Sequence, residues 1–427
     1  MSTATGPNTV PIPRQAWKTA ILGGMASYLD SATIVAAGTA FVLYQASMNL
    51  GAWDIGALSA ILTLSLAFGA LIGGRLGDRF GRKRVFSIDL LVFAAGLAFL
   101  AFAPSATFLY IGALIAGFAM GADIPVSLAL IAEEAPPAHR GKLVAFSQVL
   151  WLAGIVASIA ISFEVSSLGV LGARILFGHV LVVAIVVWVL RRRLPESSRW
   201  NTAVEESDHV GHGAPHSHKG RLRDLLPYLA PVLATALFYT FNNLSANTMG
   251  QFSTYLMVNV AGVSVTAATG VALLGIPIGF AGNLVFMKIA DRPSRMTGFV
   301  VGSVVLVVGF TIPLIFGFTF ATLFIASLFS RFGGGLAGEA IYKVWSQELF
   351  PTLVRSSAQG STIFITRALT AGFAFVTPAI AQANVSALLA ILVGLNAAAG
   401  LVGYFWVAKL PKVSQQEDAQ GPVLIHH

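Results

Sequence analysis

Cysteine is missing altogether and charge is scarce: of 427 residues, 26 are Lys or Arg and 18 are Asp or Glu, 10% in all. The first absence excludes a disulfide framework, a thiolate metal site, an iron-sulfur cluster and a cysteine nucleophile. The second excludes a soluble globular enzyme, in which about 25% of residues are charged. Disorder is excluded as well, because 56% of the residues are apolar and a disordered chain has low hydrophobicity. What is present is apolar sequence in long blocks, which a peripheral protein resting on one amphipathic helix would not need.

Twelve such blocks run at 18–43, 55–74, 85–103, 107–132, 143–163, 172–190, 227–257, 264–287, 297–316, 319–346, 357–380 and 385–408. A helix of about 20 residues crosses a hydrocarbon core of about 30 Å. The expected fold class is therefore an all-α membrane protein with twelve transmembrane helices. The first block begins near Trp17 with no small-residue cleavage site behind it, so it is read as a retained span and not a signal peptide.

The cations test this map. The termini and the connections after every second block hold 22 of the 26, among them Arg75, Arg79, Arg82, Lys83 and Arg84 after the second and Arg191, Arg192 and Arg193 after the sixth. The short connections on the other face hold none. Cations in short loops stay on the cytoplasmic side, which places both termini inside. The net charge of +8 is thus a topology signal, with attraction to anionic inner-leaflet lipid as a secondary effect, and not the footprint of a nucleic-acid partner.

The chain also repeats. Asp78, Arg79 and Arg82 after the second block return as Asp291, Arg292 and Arg295 after the eighth, each 213 residues later. Glu133, Pro136 and Arg140 return as Glu348, Pro351 and Arg355, each 215 residues later. The expected organisation is a tandem duplication: an N-terminal six-helix bundle at 1–190, a cytoplasmic linker at 191–226 and a C-terminal six-helix bundle at 227–427. The linker contains His209, His212, His216 and His218. His-rich tracts can bind metal, but no cysteine or carboxylate cluster completes a site, so the tract reads as a solvated linker and neither metal nor cofactor is expected.

With these residues in view, the chain resembles the major facilitator superfamily, and more narrowly its branch of sugar porters and metabolite:proton symporters. The resemblance covers nearly the whole length and rests on Gly74–Arg84 (G-R-L-G-D-R-F-G-R-K-R), Glu133–Gly141, P-E-S-S-R-W at Pro195–Trp200 and E-L-F-P-T-L-V-R at Glu348–Arg355. It implies a monomeric secondary transporter of the cell membrane whose halves rock around a central cavity lined by the first, fourth, seventh and tenth spans. It also implies a cytoplasmic gate of Gly74, Asp78, Arg79, Gly81, Arg82, Glu133, Arg140, Glu196, Arg199, Asp291, Arg292, Arg295, Glu348 and Arg355. Gly77 and Gly81 would permit a tight cytoplasmic turn, and Asp78 beside Arg79 and Arg82 could hold the ends together by charge-assisted bonds. Two departures bear on the cargo. The amide run of sugar porters is matched only loosely, by Asn242–Asn247, and the D-x-x-D pattern of the first span survives as Asp30 followed by Thr33.

Ionisable groups within a membrane span are costly and mark function by default. Six qualify: Asp30, Asp123, Arg331, Glu339, Lys343 and Arg367. Asp30, Asp123 and Glu339 are candidates for proton coupling, with a fixed ion pair to Arg331 or Arg367 as the alternative for the first two. Lys343, near its span's end, can snorkel. Arg367 and Arg331, with Gln148, Trp151, Asn242, Asn243 and Gln251, are candidates for substrate binding, since guanidinium suits a carboxylate and amides read hydroxyls or carboxylates. The first expectation is a proton-coupled carrier of a small organic acid, with a sugar or polyol as the alternative. Behind these stand an efflux pump for amphiphiles and, remotely, a transporter-like receptor. No nucleophile with its base and no metal cluster points to an enzyme.

Overall fold

The computed structural model describes residues 11–210, 222–259, 261–262 and 265–420, and all its regular structure is helical. Fifteen α-helices follow in order: α1 (Arg14–Met48), α2 (Ala52–Phe80), α3 (Arg82–Ala101), α4 (Ala106–Glu134), α5 (Arg140–Val165), α6 (Val170–Arg191), α7 (Ser198–Val210), α8 (Leu229–Asn259), α9 (Val265–Ile289), α10 (Arg295–Phe316), α11 (Phe320–Ala337), α12 (Glu339–Glu348), α13 (Arg355–Ala383), α14 (Val385–Phe405) and α15 (Val413–Gln420). Helix is what a bilayer demands, because it satisfies every backbone polar group within its own segment.

Among the described residues, ten segments are long and apolar enough to cross a membrane. The runs expected at 264–287 and 357–380 fall on α9 and α13, parts of whose side chains lie outside the described residues. Large apolar residues such as Ile88, Leu114, Val182, Val304 and Ile315 stand exposed along the helices, as a surface facing hydrocarbon should. The single helix expected over 319–346 is instead two, α11 and α12, parted at Gly338, which leaves the helical conformation with φ −102° and ψ −134°. A Cβ at that position would overlap the carbonyl of Gly334, so the glycine-rich stretch before it permits the break.

The chain forms two compact units. One joins the sequence up to Tyr228 with Ser346–Phe364 and the residues from Lys412 onward; the other comprises Leu229–Trp345 and Ile365–Pro411. In the first unit α4 is central, packing on α1, α2 and α3, and it is buried over most of its length. Its seam with α2 is made by small residues. A Cβ on Gly69, Gly73, Gly117 or Gly121 would overlap the facing backbone of Phe118, Ala122, Leu62 or Leu66, the close approach that drives helix association where lipid removes the hydrophobic incentive. In the second unit α11 packs between α9 and α10, and α14 against α8 and α10.

Two local expectations are corrected. Gly77 is not in a turn: it lies within α2, and a Cβ there would press on Val126 at 2.6 Å. The turn belongs to Gly81 alone, at φ +95°. The stretch after α6 is also more built than a solvated linker. It carries α7, and Trp200 donates its indole N–H to the Asp78 carbonyl at 3.0 Å. His212, His216 and His218 lie outside the described residues, as does the side chain of His209.

Candidate functional site

Three groups of polar residues stand out in the two units. The first is a charged cluster where α2 meets α3 and α4 ends. Arg82, fully buried, bonds Asp78 at 2.7 Å and Glu133 at 2.8 Å, and reaches the carbonyls of Gly77 and Thr352. Arg355 takes Glu133 from the other side at 3.4 Å and Glu417 at 3.2 Å. Glu196 accepts the backbone N–H groups of Arg82 and Lys83 at 2.8 and 3.1 Å. Asp78 in turn accepts from the backbone of Ser356 and Ser357 at the N-terminus of α13, where helix dipole and free N–H groups favour an anion. A Cβ on Gly74 would overlap the Ser356 carbonyl, so only glycine lets α2 come this close.

Buried charges are tolerable only when paired and hydrogen-bonded, and here every member meets that condition. The remaining residues expected in a gate are placed around this cluster or at its repeat. Arg140 donates to the Ala132 carbonyl at 3.0 Å, Arg79 lies over the Phe80 ring at 5.1 Å, and Arg199 sits on α7. Glu348 pairs with Lys412 at 3.4 Å. In the connection after α9, Asp291 and Arg292 precede Arg295, whose guanidinium bonds the Ala290 carbonyl at 3.1 Å.

The second group lies within the helices of the first unit. Asp30 on α1 is buried and accepts the indole N–H of Trp151 on α5 at 3.0 Å; Gln148 is buried one turn earlier on α5. Asp123 on α4 pairs with Arg191 at 2.7 Å. The alternative that named Arg331 or Arg367 as its partner is therefore corrected. Arg191, counted among the cytoplasmic loop cations, closes α6 and is 1% exposed. It also donates to the carbonyls of Leu22 and Gly23 on α1. Thr33, in place of a second acid, returns its hydroxyl to the Leu29 carbonyl.

The third group belongs to the second unit. Asn242 is buried on α8, and Asn243 accepts from Thr370 on α13 at 3.1 Å. Thr240 and Thr366 share a hydrogen bond at 3.0 Å, one residue before half-buried Arg367. Tyr239 and Tyr342 stack face to face at 3.8 Å. Glu339 pairs with Lys343 at 3.2 Å, so Lys343, expected to snorkel, is a buried partner for the acid. Arg331 packs against Gly275, where a Cβ would overlap its side chain. The side chain of Gln251 lies outside the described residues.

Sequence reasoning missed Glu417 and Asp89. Glu417 sits in a polar tail with no motif around it, and only its contacts with Thr352 and Arg355 give it a role. Asp89, on α3, is an ionisable residue within an apolar block and could have been found by the same rule that found Asp123.

A helical membrane bundle with buried ion pairs at a helix junction and polar groups along its spans has the architecture of a multi-pass carrier. The sequence profile of the Major Facilitator Superfamily matches residues 20–374, and the chain belongs to that family: it is a membrane transporter and not an enzyme. The minor myo-inositol transporter IolF of Bacillus subtilis (strain 168) is 35% identical over 395 residues, 90% of this chain and 89% of the relative. The niacin transporter NiaP of Acinetobacter baylyi is 33% identical over 177 residues, 41% of this chain and 39% of that one. In fold, the chain is similar to the proton:xylose symporter XylE solved with 6-bromo-6-deoxy-D-glucose, with a TM-score of 0.77, 19% identity and coverage of 95% of this chain and 98% of that one.

Proposed function

We propose that the protein carries a small polyhydroxylated metabolite, a cyclic polyol or a sugar, across the cell membrane by alternating access, with protons as the coupling ion. The observation that carries the reading is the 35% identity to a myo-inositol transporter along 90% of the chain. It moves the preference from an organic acid, which rested on Arg367, to the alternative. The amides and hydroxyls of Asn242, Asn243, Thr240, Thr366 and Thr370 suit a cargo of many hydroxyls, since they donate and accept without bringing net charge. In this reading twelve spans form two six-helix halves with cytoplasmic termini, the protein acts as a monomer, and the Asp78–Arg82–Glu133–Arg355 cluster holds the cytoplasmic side closed.

A carboxylate such as niacin is the second reading. It is favoured by Arg331, which has no ion-pair partner among the described residues, and by the partial match to a niacin transporter. The deciding experiment is uptake into proteoliposomes of myo-inositol, xylose and nicotinate, with and without an inside-alkaline pH gradient. Saturable myo-inositol or xylose uptake stimulated by the gradient is expected. Nicotinate uptake with no polyol or sugar transport would overturn the cargo assignment, and indifference to the gradient would overturn the coupling.

A further inference from the structure

Asp89 is 7% exposed on α3, and neither carboxylate oxygen finds a hydrogen-bond partner of normal geometry; the N–H of Leu90, next in the chain, makes only a weak contact. Helix α3 packs against α4, α6 and α2. The charged groups that act on Asp89 are Asp123 from α4 and Arg191 from α6; α2 supplies none among the described residues. Arg191 is already committed. Its Nη1 donates to both oxygens of Asp123 at 2.7 and 2.9 Å, its Nε to the Leu22 carbonyl at 2.8 Å and its Nη2 to the Gly23 carbonyl at 3.2 Å. Ser127 adds a hydroxyl donor to Asp123. One cation therefore serves two buried carboxylates, and all the donors go to one of them.

Were both acids ionised, the cluster would hold a net negative charge with no donor at Asp89. An ion without a partner in a dry interior is far less stable than its neutral form. We propose that Asp89, Asp123 and Arg191 form a proton-binding site: in this conformation Arg191 neutralises the Asp123 carboxylate, and Asp89 holds one proton as a neutral carboxylic acid. Release is a proton transfer from the Asp89 O–H to water, leaving two carboxylates and the guanidinium. It becomes favourable when water enters and solvates the charge left behind. A small cavity of about 10 Å³, room for roughly one water, lies against the cluster, lined by Ala26, Leu29, Leu90, Phe93, Met120 and Asp123 among others. The carbonyls that hold Arg191 belong to α1, so movement of α1 would loosen the guanidinium and open this route together.

The use of this proton for transport rests on the reading of the chain as a proton-coupled carrier, but its presence can be read without transport. Infrared spectroscopy of the purified protein in liposomes at neutral pH should show a protonated-carboxyl C=O band that is absent in Asp89→Asn. Arg191→Gln guards against a variant that fails to fold. Loss of the only cation should leave a second acid protonated and raise the band roughly twofold, because coupled groups titrate as a set. A wild-type spectrum without the band, a band that survives in Asp89→Asn, or an Arg191→Gln band no larger than wild type would each overturn the assignment. In uptake, stimulation by the pH gradient should vanish in Asp89→Asn. If the wild type shows the band but ignores the gradient, the coupled-carrier reading falls while the proton site stands.

Discussion

Asp78 receives the backbone N–H of Ser357 at 2.7 Å while bonding Arg82 at 2.7 Å. One carboxylate at the end of α2 thus neutralises a buried guanidinium and caps the first turn of α13. The second contact ties the beginning of α13 to α2 by a charge-assisted bond, beside the close backbone approach that Gly74 permits.

Asp78→Asn keeps the shape and removes the charge. A hydrogen bond to a charged group contributes about 1.5–3 kcal/mol, so the pinned arrangement should lose tenfold or more in population. With no native cysteine, a single Ser361→Cys change on α13, at a site 9% exposed, reports directly. Its labelling by a water-soluble maleimide should accelerate about tenfold in the Asp78→Asn background; an unchanged rate would mean the cluster does not hold the segment.

Arg82→Gln should be more damaging than any other single change in the cluster, because it strands Asp78 without a cation and leaves Glu133 only the longer contact with Arg355 at 3.4 Å. Removing one partner of a buried pair costs about 3–5 kcal/mol. Adding Asp78→Asn removes the stranded charge and should restore part of the loss. Thermal unfolding in detergent measures both, and a double variant no more stable than Arg82→Gln would contradict the pairing.

Gly121→Val places a side chain where even a Cβ would overlap the Leu66 carbonyl. Overpacking a close helix contact costs about 1–3 kcal/mol or more, and α4 has no free side to move toward. The expected result is a lower melting temperature or no folded protein, whereas Gly178→Val, with nothing within 4 Å, should be nearly neutral.

Glu417→Ala should weaken the cluster modestly, by about 1 kcal/mol, since the side chain is 31% exposed and partly solvated. Its contacts with Thr352 and Arg355 would be lost, and trypsin should cleave near Arg355 more readily. Cleavage at the wild-type rate would show that the tail is a bystander.

Asn243→Ala should raise the apparent KM for the transported substrate several-fold, because it removes the acceptor of the Thr370 hydroxyl and an amide proposed to read the cargo. Thr370→Val separates the two effects: if it reproduces the same rise, Asn243 acts by positioning the helix pair and not by touching the cargo.

Much of this was legible without coordinates. Apolar blocks announce helices, and the D-R-F-G-R and E-x-x-P-x-x-x-R motifs name most of the charged cluster, because each residue type there answers a local need for charge or turn. Long-range pairing was not legible. Arg191 reads as one of three consecutive loop arginines, yet one more residue of helix carries it inside to Asp123. Asp89 passed unnoticed within an apolar run, Glu417 within a polar tail. The break at Gly338 depends on what a Cβ would meet, which spacing cannot show.

Composition and periodicity by themselves determined that this chain lives in a bilayer as helices, since a protein with so little charge and so many long apolar runs has no other solvent in which its backbone and surface are both satisfied. Which buried acid is paired and which is left without a donor was decided only in three dimensions. That choice turns on a few ångströms between helices α3, α4 and α6, a distance fixed by packing among residues far apart in the sequence.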